Sequence, residues 1–286
     1  MQRSRKRCLQ IETGLMALVT GSKPCNTEKN GQKDKTVFEG WVWAIAAVAV
    51  LLAGISKGGF GSGVAFASSA ILAIVIEPAI ALALMLPLLM LIDVASLKPY
   101  WGKWHGPSVR VLILGAIPGT ALGALLFTIV SADFIRILIG AVALGFPLFQ
   151  LARARGWLSP KPRAFNPTGG FIAGIAAGFT SFISHAGGPP MAVFMLSQEG
   201  IGKTSYQAST VIVFWIVNMM KFVVYALIGI FSWQILGAAV LLAPFALLGT
   251  YIGVRAHHLI PERLFFGLTY VMLVLTGLKL IWDGLL

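Results

Sequence analysis

The feature that most constrains this chain is a close succession of apolar runs, at approximately 41–55, 63–76, 79–97, 109–130, 134–151, 169–183, 189–197, 205–231, 233–254 and 264–282. A helix needs about 20 apolar residues to cross the roughly 30 Å hydrocarbon core of a bilayer. Several of these runs are that long. In lipid every backbone N–H and C=O must find its partner inside the protein, so only helices and closed barrels can span. A barrel would show short strands of alternating polarity, and that pattern is missing here. The expected fold class is therefore an all-α integral membrane protein. Composition agrees. Of 286 residues 57% are hydrophobic and only 11% charged, whereas a soluble domain carries about 25% charged residues.

The net charge of +12 does not point to nucleic acid, because the basic residues lie in short loops between apolar runs, where charge sets topology. Residues 1–40 read as a polar, basic N-terminal tail, expected to be disordered, with Lys23, Lys29, Lys33 and Lys35. The two cysteines, Cys8 and Cys25, both lie in this tail. They give neither a disulfide framework nor a metal site.

Three runs, 63–76, 169–183 and 189–197, are short for a span. They adjoin glycine- or proline-rich interruptions, 57-KGGFGSG-63 and 185-HAGGPP-190. Short, broken segments at matching places in two halves of a chain point to a transporter site. The halves do match. Pro118-Gly119-Thr120-Ala121-Leu122-Gly123 parallels Pro244-Phe245-Ala246-Leu247-Leu248-Gly249. Asp93 and Asn218 stand at nearly equal distances ahead of those prolines, and Arg136 and Arg263 at nearly equal distances behind them. The expected organisation is a first transmembrane repeat at 41–152, a basic cytoplasmic loop at 153–168 and a second repeat at 169–286. Each repeat holds five segments, and an odd number inverts the second. Together they make about ten helical segments in two inverted repeats with broken or re-entrant helices.

Positive charge supports this topology. Lys57, Lys98, Lys103, Arg110, Arg153, Arg155, Lys161, Arg163, Lys203, Arg255 and Arg263 fall on one side if the chain enters its first segment from outside. The connections near 77, 131, 184 and 231 hold almost no Lys or Arg. The basic tail is the exception to the positive-inside rule. The expected location is the cell (inner) membrane, crossed many times.

The interruptions carry the candidate chemistry. A helix that restarts inside the membrane presents bare N–H groups and the positive end of its dipole. Both suit an anion, and glycine lets backbone approach it closely. The candidate substrate-binding residues are Lys57, Gly58, Gly59, Gly61, Ser62, Ser184, His185, Gly187, Gly188, Asn218 and Lys221. Ser56 and Ser181 offer further hydroxyls. Helix packing is the competing role for the glycines, and snorkelling to the surface for Lys57. Asp93 and Lys221 lie inside apolar runs, where charge is expensive and usually functional. Asp93 is a candidate for proton coupling or for pairing with a lysine, and Lys221 for countering substrate charge or pairing with Asp93. His185 is the second candidate for proton coupling.

These motifs, 54-GISKGGFGSG-63, 184-SHAGGPPM-191 and the paired PGTALG and PFALLG helices, together resemble the sulfite exporter TauE/SafE family, over roughly residues 41–284. The resemblance implies a secondary carrier of sulfite, sulfoacetate or another organosulfonate, with export as the expected direction. It implies an alternating-access site between two broken hairpins. The expected partners are a small anion and the lipid bilayer, with no nucleic acid and no cofactor or metal. A dimer is compatible with the sequence, which sets no oligomeric state. An anion channel and an intramembrane enzyme are the alternative classes. No P-loop, HExxH or CxxC is present, so the chain is not expected to be an enzyme.

Overall fold

The computed structural model describes residues 40–60, 66–157, 164–256 and 262–286. The tail and loop residues 158–163 lie outside the described residues. Ten helices follow in order: α1 (Gly40–Ile55), α2 (Phe66–Val75), α3 (Pro78–Tyr100), α4 (Gly106–Ile129), α5 (Ala132–Ala154), α6 (Pro167–Ser184), α7 (Gly188–Leu196), α8 (Lys203–Leu227), α9 (Trp233–Ala256) and α10 (Glu262–Leu285). A π-helical turn, Ser56–Phe60, continues α1. The described residues contain no strand. Among the described residues, six helical stretches are long and apolar enough to cross a membrane: Gly40–Gly59, α3, α4, most of α5, α8 and α9. The protein is an all-α integral membrane protein.

Local sequence explains these elements. Pro167 and Pro78 open α6 and α3, where a missing N–H costs nothing. Asn166 accepts hydrogen bonds from the N–H groups of Thr168 and Gly169 and so caps α6. Pro87, Pro118, Pro147 and Pro244 lie inside α3, α4, α5 and α9. In a soluble helix each would cost about 3 kcal/mol, but neighbouring helices and local adjustment make such prolines tolerable in lipid. Leu114, Leu122, Val240 and Leu241, on α4 and α9, are each more than half exposed, as lipid-facing residues should be. Trp101, Trp157, Trp233 and Trp282 are exposed close to helix ends, the depth at which tryptophan anchors a helix to the interface.

The helix pairings exchange between the halves. The fourth helix of the first half, α4, packs along α6, the first helix of the second. Its counterpart α9 packs along α1. The third helices α3 and α8 pair with each other, as do the fifth, α5 and α10. Small residues let the backbones approach. A Cβ on Gly54 of α1 would come within 2.7 Å of the Ala246 carbonyl on α9, and one on Gly178 of α6 within 2.9 Å of Ala116 Cα on α4. Gly54→Val should therefore lower stability by at least the ~1–3 kcal/mol typical of overpacking. The check is a thermal melt of the purified protein in detergent.

One boundary differs from the expectation. The helix does not stop at residue 57 but runs through Lys57, Gly58 and Gly59 to Phe60. Packing is the reason. A Cβ on Gly58 would meet the backbone of Thr250 at 2.7 Å, and one on Gly59 would clash with Gly253. These two glycines seat the turn against α9.

Candidate functional site

The two interrupted segments meet. Ser69, in the first turn of α2, shares its hydroxyl proton between Phe66 O of its own helix, at 2.8 Å, and the carbonyl of Ser184 at the end of α6, at 3.1 Å. Phe66 and Ala67 of α2 share a buried apolar cluster with Ala186, which links α6 to α7. The start of α2 is thus held against the break between α6 and α7.

That second break has a defined geometry. Helix α6 ends at Ser184, and His185 adopts a left-handed backbone, with φ 57°. Its N–H bonds to Ser181 O at 2.9 Å and that of Ala186 to Thr180 O at 3.3 Å, which satisfies carbonyls the helix end would leave bare. Glycine or asparagine usually fills such a position. A histidine there marks a position held by its surroundings. Gly187 caps α7 and is packed, since a Cβ would fall 2.5 Å from the ring of Phe214. Pro189 and Pro190 carry no N–H, so between Ala186 and Met191 only Gly187 and Gly188 can present amides to an anion. Side chains must supply the remaining contacts.

Those side chains form one buried cluster. Lys57, Asp93, His185, Asn218 and Lys221 are each between 0 and 6% exposed. Lys57 Nζ lies 2.5 Å from Asp93 Oδ1, and Asn218 Nδ2 donates to Asp93 Oδ2 at 2.8 Å. Both carboxylate oxygens thus face donors. Lys221 Nζ contacts Ser181 O at 2.5 Å, His185 Nδ1 at 2.6 Å and Ser181 Oγ at 3.3 Å. His185 Nε2 lies 3.1 Å from Leu82 O on α3. A carbonyl can only accept, so the hydrogen-bond pattern places a proton on Nε2 and leaves Nδ1 to accept from Lys221. Lys221 also sits at the C-terminal end of α6, where the helix dipole favours a cation.

The turn bearing Lys57 is pinned on two sides. Gln207 Nε2 donates to Lys57 O at 2.6 Å and Tyr100 Oη to Gly58 O at 3.0 Å. A π turn leaves carbonyls outside the normal ladder and is frequent at functional sites. Here α8 and α3 supply the missing donors and fix the lysine. Tyr225 Oη donates to Phe182 O at 2.8 Å and ties α8 to α6 just beyond Lys221.

The structure therefore joins Lys57, Asp93, His185, Asn218 and Lys221, with Gly187 and Gly188 at the edge. Asp93 pairs with Lys57 and not with Lys221. Gly58 and Gly59 face α9. The Ser184 hydroxyl is turned back to Thr180 O at 2.9 Å. Gly61 and Ser62 lie outside the described residues. Sequence reasoning did not find Tyr100 or Ser96. Ser96 is fully buried, one turn beyond Asp93, and its hydroxyl has no partner among the described residues. The signal was present: Asp93, Ser96 and Tyr100 are spaced i, i+3 and i+7, on one helix face.

A family model described as "Sulfite exporter TauE/SafE" matches residues 46–280. No curated protein and no solved structure matches the chain.

Proposed function

The chain belongs to the sulfite exporter TauE/SafE family of membrane transporters, and from that premise we propose that it carries small anions with an SO3 head group across the cell (inner) membrane. Sulfite, sulfoacetate and other organosulfonates are the substrate class, and export is the direction. The observation that carries this reading is an excess of buried positive charge. With both lysines protonated, Lys57 and Lys221 oppose a single carboxylate, Asp93. A charge inside the membrane is expensive and generally requires a partner. One monovalent anion beside Lys221 supplies it.

The exchanged helix pairings support two inverted repeats, and the direct bond between Asn218 and Asp93 joins residues that occupy matching places in them. In this arrangement the paired hairpins rock against each other around the fixed site. Repeats of opposite orientation should label from opposite sides. Single cysteines at Trp101, just past α3, and at Leu227, at the matching end of α8, in a chain with Cys8 and Cys25 replaced by serine, should react with an impermeant thiol reagent from opposite faces of sealed vesicles. Reaction of both from one face would refute the inversion.

The function itself is tested with purified protein in liposomes. Uptake of labelled sulfite should saturate, and sulfoacetate and methanesulfonate should compete better than acetate. Flux that rises linearly with concentration, or is indifferent to sulfonates, would overturn the reading.

A further inference from the structure

Two buried pairs face each other in this site, and they differ in what they do with a proton. In the first, Asp93 receives Lys57 on one oxygen and Asn218 on the other. A proton added to either oxygen would have to displace one of these donors. This pair sums to zero charge and is built to stay so.

The second pair is built differently. Lys221 Nζ has three polar neighbours. Ser181 O accepts only. His185 Nδ1 accepts, because Nε2 donates to Leu82 O. Ser181 Oγ is a hydroxyl and can do either. An ammonium donates to all three. A neutral amine keeps two donors, for Ser181 O and His185 Nδ1, and accepts from the Ser181 hydroxyl, which needs only to rotate. No hydrogen bond is lost between the two states. The same cage holds Lys221 with two protons or with three.

The geometry points to Lys221, caged by Ser181 and His185, as the group that takes up one proton with each anion and releases it with the anion's departure. This rests on the anion-carrier reading above and names its coupling. Among the described residues, the other ionisable groups that face Lys221 and His185 are Lys57 on the π turn, Asp93 on α3 and Tyr225 on α8. Buried α2 contributes only Ser68 and Ser69, and neither α4 nor α9 buries an ionisable side chain against them. With Lys57 and Asp93 cancelling, the site's charge is that of Lys221 alone. Only N–H bonds form and break: a proton from water joins Nζ as the anion enters, and returns to water as it leaves. A monovalent anion and one proton cross together, so transport is electroneutral, and export then runs only while the outward anion gradient exceeds the inward proton gradient.

The test uses the purified protein in liposomes and methanesulfonate, which has no titrating proton of its own near neutral pH. An enclosed pH dye reads proton movement, and valinomycin with potassium sets the potential. The expected result is one proton per anion, moving the same way, and less than twofold change in the final anion ratio on imposing 100 mV. Lys221→Arg keeps the charge but cannot release it. Whatever methanesulfonate flux it retains should run without protons, and its anion ratio should follow the potential by about fiftyfold across 100 mV, the equivalent of about 2.3 kcal/mol. Should the larger guanidinium not fit, the wild-type ratio decides alone. Wild-type flux that follows the potential and moves no protons overturns the coupling but leaves the carrier standing. No saturable methanesulfonate flux overturns the carrier reading and the coupling with it.

Discussion

Lys57→Met is expected to cost about 3–5 kcal/mol of folding stability, and adding Asp93→Asn is expected to return most of that loss. Asp93 is fully buried and its salt bridge is with Lys57. Removing one partner of a buried pair leaves an uncompensated charge in a medium that cannot solvate it, and losses of that size follow. Replacing both removes the charge altogether. The amide introduced at position 93 can still accept from Asn218, so the double variant keeps that contact between α3 and α8. Thermal or denaturant unfolding in detergent of the two single variants and the double variant measures the coupling directly. If the double variant is no more stable than Lys57→Met, the ion pair is not what holds the π turn to α3.

Lys221→Met should have the largest effect on function. It removes the charge excess on which anion binding is argued to depend, and affinity for sulfite should fall about a hundredfold or more, as for the loss of one partner of a buried charge pair. The effect on folding should be smaller. The carbonyl of Ser181 keeps its bond from the His185 N–H, and the principal loss is the partner of His185 Nδ1, worth about 1–3 kcal/mol. Function and stability thus separate in opposite ways at the two lysines: Lys57 weighs more on the fold, Lys221 on the ligand.

The spans were legible because lipid imposes a simple rule on length and polarity, and the helices fall within a few residues of the apolar runs. The second interruption was legible too, since Gly187, Gly188, Pro189 and Pro190 together cannot continue a helix through that point. The first was harder. Gly58 and Gly59 read equally well as a flexible break or as a seam for a neighbouring helix, and only the position of α9, far along the chain, decides for the seam. The site shows the same division. Charge inside apolar runs singled out Asp93 and Lys221 as functional candidates. Which lysine pairs with Asp93 depends on how α1, α3 and α8 cross, and no spacing in the sequence carries that. Ser96 and Tyr100 escaped notice because a serine or tyrosine near a helix end is ordinary until its neighbours are known.

The most direct test of the account is equilibrium binding of labelled sulfite to the purified protein, with Lys221→Met measured beside the wild type. Saturable binding of one sulfite per chain by the wild type, reduced about a hundredfold or more in a variant that still melts cooperatively, is the predicted result. Equal binding by both, or no saturable binding by a folded wild-type protein, would contradict the claim that an anion is held where the two hairpins meet.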